Sequence, residues 1–126
     1  MALRKVRLSF TTAVGGAATA YAAESLRGRL VMARWNKGTC SNGVDPTLSY
    51  DNEDGDNIAL LTVANADADA SYYPRVQVHS GVDGSALTLD GTRLMVEPPL
   101  VDGLLKLVIA AGGDAKVGNM TVYIEQ

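Results

Sequence analysis

His79 carries the side chain best suited to acid–base chemistry, because it is the only histidine in the chain and an imidazole titrates near neutral pH. Ser80 follows it directly and Asp83 lies a few positions further on, which are the residue types of a hydrolytic triad. The segment Val76–Ser80 alternates as a strand does, however, so neighbouring side chains point to opposite faces. We therefore expect a hydrogen-bonded histidine at a strand end, and we predict no catalytic residue and no enzyme activity.

Residues for metal or cofactor chemistry are equally sparse. Cys40 is the single cysteine, so the chain cannot form an internal disulfide or, with one histidine, a Cys/His zinc cluster. The run Asp51–Asn57 is dense in the oxygen ligands that calcium prefers. With Gly55 at the glycine position of an EF-hand loop, however, the first and last ligand positions fall on Tyr50 and Leu61. We expect an acidic hairpin turn, leave a looser cation site in these carboxylates open, and predict no cofactor.

The charged residues are segregated along the chain. The formal net charge is −3, which argues against a general basic field that would attract nucleic acid. Seven basic residues lie in the first 37 positions, whereas the stretch Asp45–Asp69 is acidic. This segregation indicates complementary patches between copies or partners, with solvated strand faces and loops as the simpler interpretation.

The N-terminus has some features of a secretion signal. Arg4, Lys5 and Arg7 precede an alanine-rich stretch that ends in Ala20–Ala23. Serine, threonine and glycine residues interrupt the apolar region of that signal, so we expect the segment to be retained. No apolar run approaches the ~20 residues needed to cross a membrane, and we expect no membrane partner.

Short apolar stretches separated by turn signals predict the elements that position these residues. The first strand, Arg4–Phe10, alternates with period two. Further strands are predicted at Thr19–Tyr21, Leu26–Trp35, Leu48–Tyr50, Ile58–Val63, Tyr72–His79, Ala86–Leu89, Leu104–Ala110 and Met120–Glu125. Turns are predicted at Gly15-Gly16, Asp54-Gly55, Asp83-Gly84, Asp90-Gly91 and Asp102-Gly103. The imperfect alternation of Leu26–Trp35 indicates a bulge or an edge position.

These elements predict an all-β chain. Thirteen glycines among short apolar runs disfavour long helices. We expect one domain over residues 1–126, an antiparallel β-sandwich or jelly-roll-like barrel of about eight strands, with a loop at Lys37–Pro46. The stretch Ala64–Ser71 is either a loop or one helical turn. The residues expected to be buried are Val6, Leu8, Phe10, Leu107, Ile109, Val122 and Ile124.

Aromatic and arginine side chains are the best candidates to anchor a protein interface. The candidates in this chain are Arg27, Arg29, Arg34, Trp35, Tyr72 and Tyr73. One residue of the pair Tyr72–Tyr73 should face the core, because neighbours in a strand alternate. For Trp35, burial in the core is the competing interpretation.

Several stretches resemble a family of small bacteriophage and prophage structural proteins. The resemblance covers most of the chain and rests on turn and strand signatures at Gly16–Tyr21, Gly28–Leu30, Asn65–Ala70, Tyr72–Arg75, His79–Ser80, Leu107–Lys116 and Val122–Glu125. The basic stretch Arg27–Lys37 and the loop that contains Cys40 depart from the family pattern.

The resemblance implies a virion structural protein, assembled in the cytoplasm of a bacterial host, without catalytic residues. It implies most directly a capsid decoration, or cement, protein that binds the outside of the head and stabilises it; a head–tail connector, neck or tail component is the alternative. The implied partners are the major capsid protein or other virion proteins and further copies of the chain, with a trimer favoured. Nucleic acid is not an expected direct ligand. A high copy number per virion would favour decoration, and a low one the connector or tail.

Overall fold

The computed structural model describes residues 2–79, 81–82, 84–88, 91–93 and 95–126. Within these ranges the chain forms β-strands and no helix, so the all-β prediction is confirmed. The strands are β1 (Leu3–Thr11), β2 (Ala18–Tyr21), β3 (Leu26–Asn36), β4 (Asp45–Asp51), β5 (Asn57–Thr62), β6 (Ala70–Tyr72), β7 (Val76–Gln77), β8 (Val96–Glu97), β9 (Leu100–Ala110) and β10 (Val117–Glu125).

Eight of these strands form one antiparallel sheet that folds over into two layers. In the first layer β10 lies between β1 and β3, and β6 pairs with the other edge of β3. In the second layer β9 lies between β2 and β4, and β5 is the edge strand beyond β4. β9 joins the layers, since Leu100–Gly103 pair with β3 whereas Leu104–Ala110 pair with β4. The fold is thus an antiparallel β-sandwich, with β7 and β8 as a separate small sheet.

Both layers contribute to one hydrophobic core. Period-two alternation in β1, β9 and β10 sends every second side chain inward, which is the pattern that the sequence predicts. The residues confirmed as buried are Leu8, Phe10, Leu107, Ile109, Val122 and Ile124, and Val6 is half-buried against them.

The pair Asp102-Gly103 lies inside β9, and the prediction of a turn there is wrong. Gly103 faces Leu26 of β3 at the point where β9 changes its partner to β4. A Cβ atom at position 103 would collide with the backbone carbonyl oxygen of Asp51. Glycine is therefore required by the close approach of two strands and not by a reversal of the chain.

Two other predicted turns are present. Asp54-Gly55 connects β4 and β5, with a φ of +84° at Gly55 that only glycine adopts without cost. Gly15-Gly16 lies in the connection from β1 to β2, where the Gly16 N–H donates to the Ala13 carbonyl at 3.0 Å. Asp83 and Asp90 of the remaining predicted turns, and Ser80 and Leu89, lie outside the described residues.

The stretch between β5 and β9 departs most from the prediction. The predicted strand Tyr72–His79 is two strands, β6 and β7, because Pro74 between them lacks the N–H that a strand ladder needs. β8 lies outside the predicted strands, since two residues carry too little pattern to detect. Ala64–Ser71 contains no helical turn; the carboxylates of Asp67 and Asp69 accept bonds from the N–H groups of Gly43 and Lys37, at 2.6 and 2.8 Å.

β3 is a central strand with a bulge, so the bulge is confirmed and the edge position is wrong. Tyr123 pairs with Met32 and Ile124 pairs with Leu30, which leaves Val31 without a partner in β10. On its other edge β3 pairs with β9 through Arg29 and with β6 from Ala33 onward. The bulge therefore lies beside a gap between two partner strands.

Candidate functional site

His79 is exposed and forms a single backbone bridge with Ala86. The two residues closest in sequence that could complete a triad, Ser80 and Asp83, lie outside the described residues.

The acidic run forms a rigid turn between β4 and β5. The Asn52 side-chain oxygen accepts bonds from the N–H groups of Asp54 and Asp56 at 3.0 and 2.9 Å, which fixes the backbone of the turn. Asp51 accepts a bond from the Asn57 side-chain amide at 2.9 Å. Within the described ranges no three His, Cys, Asp or Glu side chains are grouped to hold a metal ion. Asp51 and Glu53 of this run face different cations, Lys106 at 4.0 Å and Arg27 at 3.9 Å.

Trp35 is a core residue, and its prediction as an interface anchor is wrong. Its side chain is 0% exposed, its ring stacks on Phe10 with centroids 5.9 Å apart, and its indole N–H donates to the Ala66 carbonyl at 3.1 Å. Tyr72 also packs against the core, whereas the side chain of Tyr73 is 60% exposed. Of the three aromatic candidates, only Tyr73 is available to a partner, and the alternation predicted for this pair is confirmed.

Two of the three candidate arginines already have acidic partners in the chain. Arg27 binds Asp102 at 3.0 Å and lies 3.9 Å from Glu53, with its side chain 79% exposed. Arg29 lies 3.8 Å from Glu97 and donates to the Pro98 carbonyl at 3.1 Å. Such exposed pairs stabilise a fold by about 0–1 kcal/mol, but they lower the charge that either arginine offers to another molecule.

The third candidate, Arg34, belongs to a group of cations on the outside of the first layer. Arg7 of β1, Thr121 of β10 and Arg34 of β3 lie side by side in the strand register, and Lys5 lies in the next row towards the start of β1. Their side chains point away from the core, because the residues that follow each of them in the chain are partly or fully buried. We call Lys5, Arg7 and Arg34 the basic face; Thr121, between the two arginines in the register, is only 7% exposed.

Among the described residues no carboxylate forms an ion pair with a cation of the basic face. Arg34 instead donates to the Ser71 hydroxyl at 3.2 Å. Adjacent strands lie about 4.8 Å apart, so the backbones that carry Arg7 and Arg34 are about 10 Å apart, within reach of one carboxylate. A shallow groove of about 410 Å³ begins at Arg7 and runs along Ser9, Thr11 and Asn119. This surface is suited to receive an acidic projection.

A second surface is the stretch from Tyr73 to Pro99, which we call the arm. It leaves the sandwich after β6, contains β7 and β8, and returns at the start of β9. Most of its described side chains are exposed, including the apolar ones of Tyr73, Val76, Leu87 and Val96, whereas Pro99 is buried. Exposed apolar side chains also occur outside the arm, at Leu3, Val14, Tyr21, Ile58, Leu100 and Val117, so the arm is one candidate surface for a partner.

The base of the arm is fixed to the bulge of β3. The Arg75 guanidinium donates to the Val31 carbonyl at 3.1 Å, and the Leu30 N–H donates to the Pro99 carbonyl at 2.9 Å. These bonds satisfy backbone groups of β3 in the gap between β6 and β9. The arm is therefore attached to β3 near both of its ends.

Sequence reasoning missed the basic face and the arm as units. Lys5 and Arg7 were visible as the outward positions of a period-two strand, but their nearness to Arg34 depends on the order of strands in the sheet. The arm is bounded in the sequence by Pro74 and by Pro98-Pro99, and these prolines are the signal that could have marked it.

Comparison with protein-family models, with curated proteins and with solved structures finds no match to this chain. In the part of the chain that the structure describes, no helix is long and apolar enough to span a membrane.

Proposed function

We propose that this chain is a structural protein of a bacteriophage or prophage particle, acting as a capsid decoration protein that binds the outside of the head and stabilises it. The observation that carries the proposal is the arm, whose described apolar side chains Tyr73, Val76, Leu87 and Val96 are exposed outside the core of the β-sandwich. A protein that works by bridging neighbouring subunits needs such a surface, whereas a protein that works by chemistry needs convergent reactive groups.

The exposed apolar residues of the arm supply the driving force for attachment. Val76 and Val96 are 43% and 55% exposed, and Tyr73 is more exposed than either. Completing the burial of one such side chain against a partner contributes roughly 1 kcal/mol, about half the value for a fully exposed residue. The contribution per copy is modest, but it is repeated over every copy that binds a symmetric shell.

The fixed base of the arm lowers the cost of binding. Because Arg75 and Pro99 bond to β3, both ends of the arm are already attached to the sandwich before binding. Less conformational entropy is then lost on association than for a flexible segment.

The experiment uses phage particles that lack the protein. If it is a decoration protein, these heads lose DNA on heating more readily than wild-type heads, and adding the purified chain restores retention. The arm variant Val76→Ser/Val96→Ser should fold but restore retention poorly. The matched control is Val14→Ser, which makes the same change at a side chain that is 85% exposed in the connection from β1 to β2, and it should restore retention fully.

Three results would contradict the proposal. Heads without the protein could retain DNA as well as wild type, which would remove any stabilising role. Intact heads that lack tails would assign the protein to the connector, neck or tail instead. Full restoration by the arm variant would show that attachment does not use the arm.

A further inference from the structure

The chain exposes two surfaces of opposite charge that cannot meet within one molecule. The basic face lies on the outside of the first layer, on β1 and β3. The turn between β4 and β5, which we call the acidic turn, carries Glu53, Asp54 and Asp56 at the edge of the second layer. The core lies between the two layers, so any contact between these surfaces requires two copies of the chain.

The acidic turn is exposed along its whole length. Every residue from 53 to 59 is exposed, and the side chain of Glu53 is 91% exposed. The bonds from the N–H groups of Asp54 and Asp56 to Asn52 hold the backbone of the turn in one conformation. An ordered projection loses little entropy when it docks.

The basic face has the complementary shape and charge. Its arginines lie on strands two positions apart, on a surface that opens into the groove beside Arg7. Guanidinium groups bind carboxylates through paired, charge-assisted hydrogen bonds, which are stronger than neutral ones. The face carries three cations and the turn three carboxylates, of which Glu53 lies 3.9 Å from Arg27 of its own chain, so Asp54 and Asp56 are the carboxylates left for a second copy.

We propose that the acidic turn of one copy docks on the basic face of a second copy. The two surfaces differ, so the contact is head-to-tail: each copy offers its own turn to the next, and the assembly is a ring if the rotation closes or a filament if it does not. This inference does not depend on the arm or on the role in a virion. It assigns the unpaired cations of the N-terminal third to contacts between copies.

The first measurement is the mass of the wild-type chain in solution by sedimentation velocity. At about 0.1 M salt we expect assemblies with a multiple of the 13.2 kDa chain mass. At about 1 M salt the screening length falls from about 10 Å to about 3 Å, and the assemblies should dissociate towards monomers. A chain that stays monomeric at low salt and high protein concentration would overturn the proposal.

The decisive measurement is a charge swap between two variants. The face variant, Arg7→Glu/Arg34→Glu, has an acidic face and an acidic turn, and the turn variant, Asp54→Lys/Asp56→Lys, has a basic face and a basic turn. Each alone should associate at least about tenfold more weakly than wild type, because like charges then meet. An equimolar mixture should recover assembly, because each turn again finds a face of opposite charge.

The matched control is Arg29→Glu/Arg93→Glu, which changes the net charge by the same amount as the face variant but alters residues of β3 and the arm that belong to neither the basic face nor the acidic turn; Arg29 is already 3.8 Å from Glu97. This control should assemble as wild type does. If a charge-reversed variant does not fold, as judged by circular dichroism, Arg7→Gln/Arg34→Gln replaces it and should still weaken assembly.

Assembly by the face variant at wild-type strength would refute the contact, and so would a mixture that fails to recover. A face variant that self-associates normally but fails to bind phage heads would assign the basic face to an acidic protein of the shell instead. Failure of the arm variant alone bears only on the proposed function, so the two ideas fail separately.

Discussion

Replacement of Trp35 by leucine tests whether this residue is a core residue or an interface anchor. The side chain is fully buried, stacks on Phe10 and donates to the Ala66 carbonyl at 3.1 Å. Leucine in its place removes the stacking partner and the donor and leaves a cavity in the core beside Phe10.

The magnitude follows from those losses. Large-to-small replacement of a buried aromatic costs about 3–5 kcal/mol when the new residue is alanine, and leucine refills part of the space. The unsatisfied Ala66 carbonyl adds about 1–3 kcal/mol. We expect the free energy of unfolding to fall by about 3–4 kcal/mol, a large share of the 5–15 kcal/mol of an ordinary domain.

Urea unfolding followed by far-ultraviolet circular dichroism measures this loss, since the variant has no tryptophan to report fluorescence. The matched control, Tyr73→Leu, shortens an exposed aromatic and should change stability by less than about 0.5 kcal/mol. The placement of Trp35 in the core would be refuted if both variants lowered the free energy of unfolding equally and if this free energy had the same slope against urea concentration in both. Native Trp35 fluorescence that an aqueous quencher reaches would refute it independently.

Three further outcomes are expected. Gly103→Ala should lower stability by about 1–3 kcal/mol, because its Cβ atom meets a neighbouring backbone, whereas Gly81→Ala, with open space around its Cβ atom, should be close to neutral in the same urea assay. Burial raises the pKa of the Cys40 thiol, so the native protein should resist thiol labelling. Burial of the neutral thiol stabilises the fold fully below the unfolded-state pKa of about 8.5, and this stabilisation is lost as the pH rises through the higher folded-state pKa. The free energy of unfolding of the wild type should therefore fall more than that of Cys40→Ala above about pH 8.5. Arg75→Ala should speed proteolysis within the arm while the thermal unfolding of the sandwich stays unchanged, and equal proteolysis of variant and wild type would contradict the role of its bond to β3.

The strands of the sandwich were predictable because they have one buried and one exposed face. β1 alternates throughout and β10 alternates except at the buried Thr121, so a period-two pattern locates both strands and inward residues such as Leu8 and Val122. The arm was predictable only as scattered short strands. The residues of β7 and β8 are mostly exposed on both faces, so their sequence has no alternation of apolar and polar residues to indicate an inward face.

The surfaces depend on pairing between distant parts of the chain, and this limits what the sequence can predict. Arg27 and Arg34 are equivalent as residue types in one basic stretch, yet Arg27 has Asp102 beside it in the paired strand whereas Arg34 has Ser71. The order of strands in the sheet therefore determines which arginine has no carboxylate beside it. Gly103 belongs to the same class, because an Asp-Gly pair predicts a turn unless a neighbouring backbone occupies the space of its missing side chain.

The bulge in β3 lies next to both the base of the arm and the basic face. Because Val31 is displaced from the ladder with β10, β3 is bent at the place where its other edge changes partner from β9 to β6. A regular strand would pair continuously there and leave no room for the base of the arm. The bulge instead exposes backbone groups that Arg75 and Pro99 satisfy. Beyond the bulge, β3 continues beside β10 and carries Arg34 outward next to Thr121. One irregularity in one strand thus places the origin of the arm beside the basic face, and a change that straightened β3 should disturb both surfaces while leaving the two-layer core in place.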